Sequence, residues 1–215
     1  MLTVVARVLA DALGVGSATP STPLLTTYPT AARWAGRGPL LVDTPALEAL
    51  HAAAPGIRFD RWSREDAGRA LLLIAHRDRG ATGAAFVADT LACFEQADAR
   101  EQESWLRAIA LWPEAAAFLP AAIDACRTNI VPVFAALACE NPYPAQHFPE
   151  RNFNQLVLKA MFNSIALSRI AGLASRLNPD LSRMARDYAA ERSAAGRTVP
   201  ADLDLAIHDA AREPR

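Results

Sequence analysis

From Thr44 to Gly196 the chain keeps one periodicity: apolar residues recur at three- and four-residue intervals, in blocks cut by proline, glycine and helix-capping residues. The polar and apolar alternation of a half-buried strand is sustained nowhere, and the pattern therefore predicts an all-α fold. Thr44, with Pro45 in the first helical position, is placed to cap the first block. Ser63 caps the next, whose Ala67, Ala70, Leu71 and Ile74 share a face. Thr82 caps a third with Phe86, Val87, Thr90, Leu91 and Phe94 on one stripe, and Asp98 a fourth in which Trp105, Ala108, Ile109 and Trp112 line up. Pro113, Pro120 and Pro132 then cut the chain into short helices that start near their prolines, with Asn129 as the N-cap ahead of Pro132.

Asn178-Pro179 opens the last long block, with Leu181, Met184, Ala185, Tyr188 and Ala189 facing inward and Gly196 closing it in a left-handed conformation. Residues 14–45 are rich in Gly, Pro, Ser and Thr and read as an irregular segment with one short helix around Thr30 to Ala35. The tail "AIHDAAREPR" reads as a last short helix. Helices of about 10–18 residues joined by short links predict stacked antiparallel pairs, an irregular HEAT-like solenoid or helical bundle. The expectation is a single helical domain over residues 1–215, without a strict sequence repeat.

Composition excludes several functions. Of the residues 52% are apolar and 21% charged, enough to bury a core, and the net charge is −1, which gives no general attraction to nucleic acid or anionic lipid. Cys93, Cys126 and Cys139 form no C-x-x-C pair and read as reduced core thiols of a cytoplasmic protein. At the N-terminus, "MLTVVARVLADALGVGSATP" has Arg7 and Asp11 inside its apolar run and no basic segment before it, so an amphipathic helix is expected there rather than a signal peptide. No uninterrupted apolar run of about 18 residues is present, so no membrane span is expected.

One stretch breaks the helical pattern: "CENPYPAQHFPERNFNQLVLKAMF", residues Cys139 to Phe162. Asn141 and Tyr143 each precede a proline and are expected to be extended, and a helix should begin near Glu150 or Arg151, after Pro149. On a helical wheel Asn152, Gln155, Lys159 and Asn163 form a polar stripe, while Phe153, Val157, Leu158, Met161 and Ile165 form the opposite face. Asn154 falls near the centre of that apolar face. A buried carboxamide without partners costs roughly 1–3 kcal/mol, so Asn154 needs a partner, and the loop carbonyls around Pro142 to Ala145 are the nearest candidates. Two readings stand side by side: the amide latches the loop over the helix, or Asn154 lines a small-molecule pocket with Asn141, Tyr143, His147 and Phe148.

"ENPYPAQHFPERNFNQLVLKAMF", followed by "LSRIAGLASRLNPDLSRMARDYAAERSAAGRTVP", resembles the C-terminal half of the EboA-type metabolite-traffic proteins, over roughly residues 128–200. The N-P-Y-P element, the F-N-Q-x-V-L-K-A-x-F run and the N-P-x-L-S-R-M segment occur in the family's order, whereas residues 1–80 carry no such motif. The resemblance implies a bacterial protein encoded beside enzymes of small-molecule biosynthesis, linked to moving a precursor from cytoplasm towards periplasm. It implies no established catalytic residues.

Other chemistry is thinly represented. His147 stands near Glu140 and Glu150 without metal-ligand spacing, and His51, His76 and His208 are scattered, so neither a metal nor another cofactor is expected. No P-loop, Rossmann or G-x-S-x-G fingerprint occurs. Lys159 reads as a solvated or salt-bridged residue, and Arg183, Arg186 and Arg192 alternate with Asp180, Asp187 and Glu191 as a solvated helix face does.

The preferred expectation is a non-enzymatic carrier of a small metabolite, cytoplasmic or peripheral to the inner membrane, with no nucleic-acid partner. Its alternative is a scaffold that docks a companion biosynthetic or membrane protein on the Asn152, Gln155, Lys159 stripe. A third reading, an enzyme acting on the metabolite, requires His147 to meet a carboxylate within hydrogen-bond reach.

Overall fold

The computed structural model describes residues 1–15 and 23–208. Among the described residues the regular structure is helical, twelve α-helices and six 3-10 turns, and extended pairing is confined to an isolated bridge between Pro39 and Ser63. The all-α expectation holds. Contacts cluster into two compact units, Met1–Asn141 and Pro142–Arg215.

The first unit contains α1 (Leu2–Leu13), α2 (Leu24–Thr27), α3 (Ala31–Ala35), α4 (Thr44–Ala53), α5 (Arg64–Asp78), α6 (Gly83–Gln96), α7 (Ala99–Ala108), α8 (Leu119–Ala125) and α9 (Val131–Ala138). Its axis is α5, which packs against α1, α3 and α7, while α7 also packs against α9. Ser63 starts α5 with a capping box: its hydroxyl accepts from the Asp66 N–H, and the Asp66 carboxylate accepts from the Ser63 N–H. Everything from Glu65 to Ile74 is buried, which brings charges into the core. They are compensated across to α7, where Arg69 donates to the Ser104 hydroxyl at 2.9 Å and Ser104 donates to Asp66 at 2.7 Å. Gly68 faces α3 so closely that a Cβ there would lie 2.7 Å from the Ala35 Cβ.

Some boundaries differ from expectation. Asp43, not Thr44, caps α4, and its side chain accepts from the Ala46 N–H. Ile130, not Asn129, stands at the cap of α9. Trp112 does not continue α7, which passes into the 3-10 turn Ile109–Leu111; the residue before Pro113 is driven to an extended backbone, ψ 135°, though Trp112 stays buried. In the segment 14–45 the short helix near Thr30 is α3, preceded by α2, and residues 16–22 lie outside the described part.

The second unit contains α10 (Tyr143–His147), α11 (Glu150–Phe162) and α12 (Pro179–Ala194), with 3-10 turns at Leu167–Arg169, Leu173–Arg176 and Leu203–Ala206. α11 packs on α12, where the Tyr188 hydroxyl donates to the Met161 carbonyl at 3.1 Å. Asn178 caps α12 through the Leu181 N–H at 2.8 Å, and Gly196, at φ 66°, follows its end in the left-handed region. Of the face expected inward on α12, Leu181, Ala185 and Tyr188 are buried, with Met184 and Ala189 half-buried. The Leu203–Ala206 turn returns to α12, where the His208 N–H donates to the Ser182 hydroxyl at 2.7 Å. Residues 209–215 of the expected terminal helix lie outside the described part.

Candidate functional site

The stretch from Cys139 to Phe162 is shared between the two units. Cys139, Glu140 and Asn141 close the first, and the residues from Pro142 open the second. Asn141 is buried, and its amide donates to the carbonyls of Leu106 at 2.8 Å and Ala136 at 3.2 Å, tying the ends of α7 and α9.

In the second unit the proline pair makes a helix rather than an extended segment. Tyr143, expected to be extended, is the first residue of α10, because Pro144 falls in the first turn, where its missing N–H has no intrahelical partner to lose. Full burial of the Tyr143 ring offsets the crowding before proline. One turn on, the His147 ring lies 4.6 Å from it, and Phe148 meets it edge-on at 6.3 Å. Burial pushes the Tyr143 phenol well up and holds the half-buried His147 imidazole below its ordinary value. Both rings are therefore neutral at physiological pH.

Arg176 holds this element. Its guanidinium donates to the Ala145 carbonyl at 2.5 Å and the Phe148 carbonyl at 2.8 Å, and lies 4.7 Å from the centre of the Phe153 ring. Two carbonyls at the end of α10 are thus linked to the Phe153 ring of α11 by one side chain.

Asn154 is buried as expected, but its partner is not the loop. Its amide donates to the Asn178 side-chain oxygen at 3.1 Å and accepts from the Asn178 amide at 3.0 Å. The Ala145 carbonyl within the expected region is taken by Arg176, and Asn178 offers a carboxamide of matching donor and acceptor pattern. The same Asn178 caps α12 and donates to the Arg176 carbonyl at 3.0 Å, so clamp and pair are continuous. Of the polar stripe, Gln155 is exposed while Asn152 and Lys159 are half-buried; of the opposite face, Phe153, Val157 and Met161 are buried and Leu158 is half-buried.

The first unit carries a cleft that the sequence reading did not reach. Arg58, Arg61, Trp62, Arg107, Ala136, Cys139, Glu140 and Asn141 line it; it is a shallow space of about 190 Å³ that includes open solvent, and only a water-sized group fits wholly inside it. Arg58 grips Asp60 with two bonds of 2.9 Å, and that pairing holds the Asp60 carboxyl below the usual carboxylate range. Arg61 reaches the same carboxylate at only 3.8 Å. Arg107 lies between two carboxylates, its Nε 3.4 Å from Asp66 and its Nη2 3.6 Å from Glu103. Glu140 adopts a left-handed backbone, φ 51°, uncommon for a residue with a side chain. Arg58 and Arg61 are neighbours in sequence, but nothing local signals that Arg107 joins them.

Among the described residues no group of three or more His, Cys, Asp or Glu side chains could hold a metal, and no helix is long and apolar enough to cross a membrane. A family model described as "Metabolite traffic protein EboA" matches residues 13–208, far beyond the segment 128–200 that carries the motifs, and the chain belongs to that family. No curated protein and no solved structure matches it.

Proposed function

We propose that this member of the EboA family acts without catalysis, as a carrier that assists a small biosynthetic precursor on its way from the cytoplasm towards the periplasm. The observation that carries the reading is the family match across residues 13–208, which spans both units and so involves the whole chain rather than one motif. The clamped α10 supports it. A half-buried neutral imidazole at His147, tilted against the Tyr143 ring, offers one donor and one acceptor beside an aromatic wall, the mixture that orients a small apolar or aromatic molecule. Phe148 and Asn154, buried and packed or hydrogen-bonded within the same unit, would then be the frame of that site.

The test is made in a producing strain. Deletion of the gene should raise the precursor's cytoplasmic share relative to its periplasmic share without abolishing its synthesis, and the His147→Ala protein should restore the distribution poorly although it accumulates normally. An unchanged distribution in the deletion strain would remove the reading. A second reading, a scaffold for a companion biosynthetic or membrane protein, is favoured by the polar stripe of α11, where Gln155 is exposed beside Asn152 and Lys159. It predicts that a companion protein co-purifies with the chain and is lost on Gln155→Arg, while His147→Ala retains it.

A further inference from the structure

We propose that the outer edge of residues 39–42 in the first unit takes an acidic peptide as an added β-strand. The chain there is strand-like without belonging to a sheet. Pro39 bridges Ser63 in the antiparallel sense, with the Leu40 N–H donating to the Trp62 carbonyl at 2.8 Å and the Arg64 N–H donating to the Gly38 carbonyl at 2.9 Å. From Leu40 to Asp43 the backbone runs on without turn or bend, and burial alternates along it: Leu40 is buried and Leu41 is 76% exposed. Because the Gly38 carbonyl and the Leu40 N–H face the bridge, the carbonyl of Pro39 and both backbone groups of Leu41 point to the opposite edge. Among the described residues nothing hydrogen-bonds to them.

Such an edge offers one donor and two acceptors in the spacing of a β ladder, and the ligand that matches it is an extended backbone rather than a compact solute. Pro39 lacks an N–H, so the added strand makes a short contact, through both groups of Leu41 and the carbonyl of Pro39. Leu41, the most exposed of the large apolar side chains among the described residues, gives that strand an apolar cross-strand neighbour. Charge selects the partner. Arg37, two residues before Pro39, is exposed and forms no ion pair among the described residues. Arg61, next to Trp62 at the end of the 3-10 turn Phe59–Arg61, is 65% exposed and comes only within 3.8 Å of Asp60, a carboxylate that Arg58 already holds. At the other end Asp43 turns its carboxylate to the Ala46 N–H at the start of α4. An acidic strand complements this balance, whereas a second copy of the edge would set the same arginines against each other. The proposal concerns the first unit by itself and holds whether or not the chain carries a metabolite.

Fluorescence anisotropy with a fluorescein-labelled peptide of alternating glutamate and valine tests it, beside a labelled peptide of alternating lysine and valine. Saturable binding of the acidic peptide is expected, about tenfold tighter than that of the basic one, and weakened about tenfold in Leu41→Asp and several-fold in Arg37→Glu. Both side chains are exposed, so the variants keep the fold, which thermal melts verify. In a paired strand only every second amide faces the edge, so N-methylation of one alternate set of peptide amides should abolish binding while methylation of the other set retains it. Absence of saturable binding, equal affinity for the two peptides, equal effects of the two methylated sets, or wild-type binding in the folded Leu41→Asp protein overturns the proposal. A dimer in sedimentation that Leu41→Asp dissolves would place a second copy on the edge and overturn it as well.

Discussion

Asn154 and Asn178 hold each other by both ends of their carboxamides, at 3.1 Å and 3.0 Å, and Asn178 is at the same time the N-cap of α12. A polar residue in the middle of the apolar face of α11 is thereby coupled to the start of the next long helix. The pair fixes the start of α12 against α11, and the Tyr188–Met161 bond ties the same two helices further along, so directional bonds supplement the apolar contacts of the unit.

Asn154→Ala leaves the Asn178 amide short of a partner inside the unit, and a loss of about 1–3 kcal/mol is expected from urea denaturation. Asn178→Ala removes the cap as well, a further loss of about 1 kcal/mol. In a double-mutant cycle the two changes should couple by about 0.5–3 kcal/mol. Strict additivity would show that the pair contributes nothing beyond its separate bonds.

Arg176→Ala should free the carbonyls of Ala145 and Phe148 and uncover the Phe153 ring. Hydrogen bonds to a charged donor contribute about 1.5–3 kcal/mol, so this change is expected to exceed that of Asn154→Ala. Hydrogen exchange should report it locally, with amides of α10 losing protection while those of α5 keep theirs. Arg176→Lys should recover little, because one ammonium cannot reproduce the planar fork that spans two carbonyls.

The sequence made the helices legible wherever the signal is local. Ser63, Asp98 and Asn178 cap their helices because capping joins groups within one turn, and Thr82 stands at the same position without a side-chain bond. That Asn154 is buried was readable from the wheel. That it pairs with Asn178 was not, since nothing in the spacing distinguishes that carboxamide from the nearer loop carbonyls. Tyr143 was misjudged because the pre-proline rule gives a preference of isolated dipeptides, and a buried ring in a first turn overrides it. Arg58 and Arg61 come to line one cleft with Arg107 only through tertiary packing, a long-range relation without periodic trace.

Gly172→Ala should be among the more damaging single changes near α10. The backbone there has φ 75°, and an added Cβ would sit 2.6 Å from the Ala145 Cβ. The left-handed conformation costs a side-chain residue about 1–2 kcal/mol, and relief of the clash must shift α10 or the turn at a further cost of about 1–3 kcal/mol. Gly196→Ala is the matched control. Its φ is 66° with nothing within 4 Å of the added carbon, so only the conformational part is expected. Equal melting temperatures for the two variants would show that the close approach to Ala145 relaxes freely.

His147 gives the second unit a pH dependence of definite sign. Burial disfavours its charged form, so the folded chain binds a proton less readily than the unfolded chain, whose imidazole keeps the ordinary value of 6.5. As pH falls through about 6.5 the unfolded state takes up a proton that the folded state does not, and stability declines until the folded imidazole also protonates. Above that window the residue adds no pH dependence. Melting temperatures of the native chain and of His147→Gln, compared from about pH 5 to pH 8, should run parallel in the upper part and diverge below about pH 6.5, the native chain falling faster. Parallel curves throughout would mean that the ring beside Tyr143 is solvated enough to titrate as it does in the unfolded chain.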